Sequence, residues 1–298
     1  MTDRAIVVTG ASTGIGRECV RLLAAEGYRV FAGVRTSQDA QALLQEVPRG
    51  LTPVFLDVTD AASIRAAFQT VSQELKDGLF GLVNNAGITV AGPLEVLPID
   101  ALRRQIEVNV IGTVAVTQAF LPLLRKAGGR IVLMGSILGR VALPFVGAYS
   151  ISKFALEAVA DSLGMELAGS GVSVSLMEPG NIATPIWAKS KQGFLDTTND
   201  APGMALYRAR MESFGEVTDR FAAGGIPPVA VARAVAGALR ARRPRARYLV
   251  GPDARWAGRA APLAPSRLRY WIIRRFVLRA AARPPHAGCV RSGKDSIV

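Results

Sequence analysis

Histidine and cysteine are nearly absent from the 298 residues: the chain has one histidine, His286, and two cysteines, Cys19 and Cys289. A single histidine excludes a histidine-rich metal site and argues against a serine–histidine–aspartate triad, so we expect no bound metal. Two cysteines do not make a disulfide framework. Half of the residues are hydrophobic, but no run of 18 apolar residues occurs. Neither a spanning helix nor a secretory signal is therefore expected.

Acidic residues are scarce in the C-terminal fifth of the chain, and this sets the net charge. Residues 233–298 carry 15 Arg and 1 Lys against 2 Asp, a net charge of +14, whereas the preceding residues carry 20 basic and 21 acidic side chains, a net of −1. The overall +13 would suggest nucleic acid or an anionic membrane as partner. Because the basic segment has little aromatic interleaving and no known binding module, nucleic acid is the poorer match.

Short apolar runs alternate with longer helical patterns along the chain. Strands are predicted over 5–9, 28–34, 52–58, 79–84, 130–135, 172–177 and 247–250, and helices over 15–26, 37–46, 61–76, 101–126, 147–168 and 228–240. The strands are continuously apolar, as in parallel strands that are buried on both faces. Repeated strand–helix units predict an α/β fold, a Rossmann-like doubly wound parallel sheet of about seven strands with helices on both faces.

A glycine-rich turn, T-G-A-S-T-G-I-G at 9–16, lies between the first strand and the first helix. Glycines there let the backbone approach a pyrophosphate, whose charge sits at the helix N-terminus. The spacing is G-x-x-x-G-x-G rather than the more usual G-x-G-x-x-G, so the turn alone is weak evidence.

Tyr149 and Lys153 are four residues apart and share one face of a predicted helix. A neighbouring ammonium lowers the pKa of a phenol, so the pair can act as an acid and base. An isolated Y-x-x-x-K is usually a half-buried tyrosine beside a solvated lysine. Here Ser136, the N-N-A-G segment at 84–87 and Pro179 all follow strands, where open α/β sheets bind ligands.

Taken together, these motifs resemble the short-chain dehydrogenase/reductase family over roughly residues 4–250. The segments V-F-A-G, Y-S-I-S-K-F-A-L-E, P-G-N-I-A-T-P and R-Y-L-V-G-P-D-A look most like the branch of retinol and hydroxysteroid dehydrogenases. The resemblance implies an NAD(P)-dependent oxidoreductase that transfers a hydride between nicotinamide and a CH–OH group. It also implies a catalytic set, Asn109, Ser136, Tyr149 and Lys153.

The family resemblance implies a role for each site residue. Tyr149 passes a proton to or from the substrate oxygen, Lys153 lowers the pKa of Tyr149 and binds the nicotinamide ribose, and Ser136 bonds the reacting oxygen. Asn109 positions a water that continues the proton relay. Cofactor contacts, besides Tyr149 and Lys153, are implied for Gly10, Ser12, Gly14, Ile15, Gly16, Asp57, Val58, Asn84, Ala86, Gly87, Pro179, Gly180, Ile182 and Thr184.

The second strand points to NADP rather than NAD. An acid at its end would bond the 2′-hydroxyl of NAD, but Val34 stands there and Arg35 follows. A cation without a competing acid favours the 2′-phosphate of NADP, although relatives with a similar V-F-A-G strand include NAD users.

The substrate is expected to be apolar. The segment 181–226 lacks clean periodicity and is rich in aromatic residues, as in a lid that closes over a steroid- or retinoid-like alcohol or ketone. A 3-oxoacyl-thioester reductase and a non-catalytic nucleotide-binding regulatory protein are the alternatives. We assign 1–251 to the catalytic domain and 252–298 to a basic extension with a disordered end.

The extension contains an amphipathic, arginine-rich pattern over 266–282. Such a helix can lie in a membrane interface, or it can pack on the body or on a partner subunit. We expect a cytoplasmic protein, peripherally associated with membrane if the first alternative holds. The family resemblance also implies a homo-oligomer formed through the helices that begin near Ala101 and Gly147.

Overall fold

One parallel sheet of seven strands forms the centre of the molecule, in the order β3-β2-β1-β4-β5-β6-β7. The computed structural model describes residues 4–184, 203–211, 214–215 and 224–277. The strands are β1 (Ala5–Val8), β2 (Arg29–Val34), β3 (Leu51–Phe55), β4 (Gly81–Asn84), β5 (Arg130–Met134), β6 (Ser173–Pro179) and β7 (Arg247–Val250). All seven predicted strands are present, and the doubly wound sheet is confirmed.

Helices cover both faces of the sheet. They are α1 (Gly14–Ala25), α2 (Ser37–Glu46), α3 (Ala61–Glu74), α4 (Ile99–Ile106), α5 (Gly112–Ala127), α6 (Gly147–Glu166), α7 (Val229–Arg240), α8 (Pro252–Ala260) and α9 (Ser266–Val277). One core joins the sheet to α1, α2 and α7, and a second joins it to α3, α5 and α6. The continuous apolar strands are thus buried on both sides, which is the reason for their composition.

The single helix predicted over 101–126 is interrupted. A π-helical turn, Glu107–Ile111, separates α4 from α5 and contains Asn109. The combined run Ile99–Ala127 is long and apolar enough to span a membrane by length and composition. Its side chains at Val116, Phe120 and Leu124 are nevertheless fully buried in the core, as in a helix that packs on a sheet.

The first helix of the predicted extension packs on the body. Ala254 and Gly258 of α8 are buried, and a Cβ added at Gly258 would lie 2.6 Å from Leu249 of β7. The next helix, α9, keeps large apolar side chains exposed. The predicted disordered end, the part of the amphipathic pattern beyond Val277 and much of the predicted lid lie outside the described residues.

Strand order reverses beside β1, because chain order runs from β1 through β2 to β3 on one side and then returns to β4 on the other. A crevice forms at such a switch point, outside the carboxyl ends of the strands. The predicted site residues of the turn at 9–16 and of the segment 84–87 lie at this position.

Candidate active site

The turn after β1 is tied to the end of β4. The Thr9 hydroxyl oxygen accepts hydrogen bonds from the backbone N–H groups of Asn85 and Ala86, both at 2.9 Å. The Asn85 amide donates back to the carbonyl oxygens of Thr9 and Gly10, at 3.0 and 2.9 Å. The two halves of the crevice are therefore held in fixed register.

Glycine is required inside this turn. Gly10 and Gly14 have left-handed backbones, with φ of +61° and +58°. A Cβ at Gly16 would lie 2.2 Å from the Gly10 carbonyl oxygen, and one at Gly10 would lie 2.8 Å from the Ala86 Cα. Each side chain would displace backbone, so only glycines allow the turn to close.

The turn fits a dinucleotide pyrophosphate. It leads into α1, whose N-cap residue is Thr13. In the described part of the chain, the Thr13 side chain accepts no hydrogen bond from the first turn of the helix. The first N–H groups of α1 therefore remain as donors beside Ser12 and Ile15, where the helix dipole favours an anion. The residues present match the cofactor that the motif predicts.

The part of the crevice expected to bind the adenine end of the cofactor, here called the rim, lies at the carboxyl ends of β2 and β3. β3 ends at Phe55, earlier than predicted, so Asp57 and Val58 lie in the loop that follows. The Thr59 N–H and hydroxyl both donate to Asp57 Oδ1. These two hydrogen bonds, followed by the charges of Arg35 and Arg104, hold the pKa of Asp57 below its usual value against the opposing effect of burial. Arg35 thus lies close enough to Asp57 for their charges to interact.

Both polar atoms of the Asn109 side chain are hydrogen-bonded to protein atoms. Its amide donates to the Ile88 carbonyl and the Ser152 hydroxyl, both at 3.0 Å, and its Oδ1 accepts from the Ile88 N–H at 2.9 Å. The π-helical turn presents this side chain to the loop after β4. Asn109 therefore joins α6 to the loop that follows Gly87, and its role in a water relay stays a prediction.

Ser136 and Tyr149 meet at the predicted position. Ser136 follows β5, is buried, and accepts from the Leu138 N–H at 3.1 Å, which starts a short 3-10 turn, Ile137–Gly139. Tyr149 lies in the first turn of α6, and its side chain is hydrogen-bonded to Ser136. Two hydroxyl groups are thus placed side by side, as expected for binding one reacting oxygen.

Burial acts on the pKa values of both Tyr149 and Lys153. Burial raises the pKa of Tyr149 to about 12, opposed only by the Ser136 hydrogen bond, and burial lowers the pKa of Lys153 to about 8. The Lys153 Nζ donates to the Met134 carbonyl at 2.6 Å and is 5.3 Å from the centre of the Tyr149 ring. Burial therefore favours the protonated phenol of Tyr149, and the lowering of its pKa by Lys153 stays a prediction.

The turn expected to border nicotinamide is supported by a residue that sequence reasoning missed. Asp253, in the first turn of α8, accepts the Asn181 N–H at 2.6 Å, and a Cβ at Gly180 would lie 2.2 Å from its carboxylate. Its position directly after Gly251 and Pro252 is the signal of a helix start. Beyond the turn, Ile182 is buried and pairs with Ile226, and Thr184 is half-buried.

An apolar cluster surrounds Tyr149. Its buried members are Ala91, Leu138, Phe145, Val146, Tyr149, Met204 and Phe214. The Phe145 ring lies 5.4 Å from that of Phe214 and 6.3 Å from that of Tyr207, and Phe145 has a left-handed backbone, φ 65°, which is strained for a non-glycine residue. The described part of the predicted lid therefore packs in the same cluster as Tyr149.

The geometry matches a known family. The family model described as short chain dehydrogenase matches residues 4–193. The chain belongs to the short-chain dehydrogenase family. It is accordingly an NAD(P)-dependent oxidoreductase with a Rossmann fold, as the motifs predicted.

Individual relatives extend this result. The dehydrogenase is 39% identical over 264 residues to a 3-amino-tetrahydro-pyrrolizinone reductase of Xenorhabdus hominickii, covering 86% of this chain and 89% of that protein. It is 36% identical to 17-beta-hydroxysteroid dehydrogenase type 6 of Bos taurus, covering 92% and 89%. A short chain dehydrogenase from Burkholderia cenocepacia J2315, solved in complex with NADP, matches with a TM-score of 0.67 and 28% identity over 91% and 98%. The predicted resemblance to the retinol and hydroxysteroid branch is confirmed.

Proposed function

We propose that the enzyme reduces an apolar, steroid- or retinoid-like ketone or aldehyde with NADPH, and oxidises the corresponding alcohol in reverse. The observation that carries this proposal is the apolar cluster that includes Tyr149, whose side chain is hydrogen-bonded to Ser136. A lining of this kind suits a bulky apolar molecule with one polar group to orient.

The chain's own residues supply binding and proton transfer. Tyr149, whose pKa is raised by burial, donates its proton to the substrate carbonyl oxygen. Ser136 donates a second hydrogen bond to the same oxygen and stabilises the charge that develops there. Lys153, held by the Met134 carbonyl beneath the tyrosine ring, supplies a positive charge next to the phenol. When bound, the nicotinamide cofactor supplies the hydride.

The proposed cofactor is NADPH. Arg35 follows β2, is exposed, and lies within electrostatic reach of Asp57 at the rim expected for the adenine ribose. A guanidinium there can bind a 2′-phosphate by charge-assisted hydrogen bonds. The Burkholderia structure, which contains NADP, supports the same choice.

Replacing Arg35 with glutamine should separate the two nicotinamides. We expect KM for NADPH to rise at least about tenfold and KM for NADH to change little, because a charge-assisted bond contributes about 1.5–3 kcal/mol. Arg49→Gln is the control, at an exposed arginine that precedes β3 and so lies near the amino ends of the strands, away from the crevice. A wild-type enzyme with higher kcat/KM for NADH would refute the choice of NADPH.

The activity is tested by a substrate panel followed through the absorbance of NADPH. The panel contains steroid ketones, retinal, medium-chain ketones, a 3-oxoacyl thioester and small polar carbonyls. Tyr149→Phe should lower kcat about 10³-fold and leave NADPH binding within about threefold, because the proton donor alone is lost. Tyr270→Phe, at an exposed tyrosine of α9, is the matched control.

The other possible results of the substrate panel decide between the alternative functions. Turnover confined to the thioester would favour the acyl-reductase alternative, and turnover confined to small polar carbonyls would overturn the apolar substrate class. Tight NADPH binding without turnover would favour a regulatory protein. Near-normal turnover in Tyr149→Phe would remove the catalytic assignment.

Association with an anionic membrane through α9 is a further part of the proposed function. This helix exposes Leu268, Tyr270, Trp271 and Ile272, and four arginines (Arg267, Arg269, Arg274 and Arg275) lie among them in the sequence. Leu263, just before the helix, is 86% exposed and Trp256 of α8 is 77% exposed. Apolar side chains flanked by arginine suit an interface with anionic headgroups.

We also propose self-association through the faces of α5 and α6. Ile111, immediately before α5, and Ile151 and Phe154 of α6 are exposed apolar side chains on helices that otherwise pack on the sheet. A hydrophobic surface of this kind is typical of a subunit interface.

A further inference from the structure

One acidic side chain lies where an apolar one would be expected. Glu178 is the penultimate residue of β6 and is fully buried, immediately before Pro179 and Gly180. A buried carboxylate is costly unless it is paired and hydrogen-bonded. Arg140 supplies both: its Nε donates to Glu178 Oε1, and its Nη2 donates to Glu178 Oε2 at 3.0 Å.

The same guanidinium touches a third segment. Arg140 Nη1 donates to the Gly258 carbonyl of α8 at 3.1 Å. That helix also carries Asp253, which holds the Asn181 N–H next to Gly180. Arg140 itself lies four residues after Ser136, just beyond the 3-10 turn that Ser136 starts. One side chain therefore joins the Ser136 loop, the end of β6 and α8.

We propose that Arg140 is a positioning residue for the hydride-transfer site: its pairing with Glu178 fixes the Ser136 loop relative to the strand end that carries Pro179 and Gly180. The inference rests on the proposed function, because these two segments are expected to hold the reacting oxygen and to border the nicotinamide. Arg140 acts through Glu178. A small shift of either segment would misalign groups that must meet within hydrogen-bond distance.

Acidic side chains of α6 extend the ion pair between Arg140 and Glu178 into a network. Glu157 lies one turn after Lys153, and its Oε1 is 3.2 Å from the position of a Cβ on Gly139, directly before Arg140. Its Oε2 accepts from Arg247 of β7 at 3.0 Å, and Arg247 also donates to Asp161 at 2.8 Å. Burial and the adjacent Glu178 carboxylate raise the pKa of Glu157 to about 7.

The charges of the groups around the Arg140 guanidinium balance. The network comprises Arg140, Arg247, Glu157, Glu178 and Asp161, which sum to zero when Glu157 holds a proton. A surface cavity of about 460 Å³, lined by Gly139, Arg140, Phe154, Glu157 and Arg247, lets water reach it. Arg247, the other cation of this network, is held by Glu157 and Asp161.

The test compares Arg140→Lys, Arg140→Met, Glu178→Gln and the double variant Arg140→Met/Glu178→Gln. Lysine keeps the charge but cannot bind both carboxylate oxygens and Gly258 together. We expect kcat per NADPH-binding site to fall about tenfold in Arg140→Lys and about 100-fold in Arg140→Met. The dissociation constant for NADPH should change less than about threefold, because the turn at Gly10–Gly16 is untouched. The double variant should be no slower than the slower single variant, since one pair is removed in both.

A second readout does not need turnover. The fluorescence of bound NADPH reports the surroundings of its nicotinamide ring, so Arg140→Lys should alter its intensity at saturation. Arg240→Met removes an exposed ion pair with Glu26 between the ends of α1 and α7 and is the matched control, expected to match the wild type in both measurements.

The outcomes separate the inference from the proposed function. Unchanged kcat per binding site and unchanged fluorescence in Arg140→Lys and Arg140→Met, whatever happens to the melting temperature, would show a purely structural role and overturn the inference. If the wild type turns over nothing in the panel, the proposed function fails, and the fluorescence of bound NADPH in Arg140→Lys still decides whether Arg140 positions the nicotinamide side.

Discussion

Burial is the largest cause of the pKa shifts of Tyr149 and Lys153. Tyr149 and Lys153 are both almost completely buried, and burial moves each toward its neutral form, raising the pKa of one and lowering that of the other. A protonated phenol beside Ser136 is ready to donate rather than accept a proton. This state suits reduction of a carbonyl group, the direction proposed above.

Glu157 provides a pH-dependent prediction at the same scale. Its pKa is about 7 in the folded state, above the ordinary value of 4.5, so the folded protein retains this proton over a range in which the unfolded chain has lost it. The stabilising contribution is complete below about pH 4.5 and is lost as pH rises through about 7. Glu157→Gln cannot titrate. We expect the melting temperature of the wild type, relative to this variant, to fall by at least about 2 °C between pH 5 and 7.5.

Glu166→Gln, at an exposed glutamate on the same helix, is the control and should follow the wild type at every pH. Parallel melting curves for wild type and Glu157→Gln across this range would contradict the raised pKa. The measurement uses differential scanning calorimetry without cofactor, so it does not depend on turnover.

At the scale of elements, the start of α1 requires glycine at position 16, although alanine is the better helix former in general. Alanine usually stabilises a helix by about 0.5–1 kcal/mol relative to glycine. At Gly16 the added Cβ would lie 2.2 Å from the Gly10 carbonyl oxygen and 2.4 Å from the Asn85 amide. The helix start must therefore move away from the sheet, and with it the donors expected to hold the pyrophosphate.

Gly16→Ala should weaken NADPH binding at least about 100-fold and lower the melting temperature, measured by titration and by calorimetry. Gly164→Ala tests the same change in α6, where no atom lies within 4 Å of the added Cβ, and should raise stability by about 0.5–1 kcal/mol. Wild-type affinity for NADPH in Gly16→Ala would show that the turn is not the cofactor cradle.

The π-helical turn illustrates what local pattern does not reveal about an element. Residues 101–126 have a regular helical periodicity, and a single helix is the natural prediction. The insertion forms at Asn109, where the side chain bonds Ile88 and Ser152, which are 21 and 43 residues away in the chain. Hydrogen bonds of that range depend on how the loop after β4 and α6 come together.

At the scale of the whole molecule, part of the basic C-terminal fifth is joined to the body by ion pairs. Arg240 pairs with Glu26, and Arg247 pairs with Glu157 and Asp161, so arginines from this segment neutralise acids of the body. The arginines of α9 remain beside exposed apolar side chains. This arrangement is the basis of the proposed contact with an anionic surface.

The membrane proposal gives a prediction at this scale. Leu268→Glu/Trp271→Glu should lower binding to phosphatidylglycerol liposomes about tenfold or more, because apolar burial and favourable charge are lost together. Met165→Glu changes an exposed apolar residue at the end of α6 and is the control. Co-sedimentation is the measurement, and equal binding by all three proteins would remove α9 from the proposed contact.

The sequence by itself determined the fold class, the seven strands and the positions of Ser136, Tyr149 and Lys153, because these depend on short-range periodicity and on motifs with fixed spacing. It also contained the acid and the arginine that form the Arg140–Glu178 pair, but not their pairing. Contacts across 38 residues to Glu178 and 118 residues to Gly258 exist only after β5, β6 and α8 have packed. The tertiary structure likewise decided that burial governs Tyr149, since desolvation depends on neighbours that are distant in the chain.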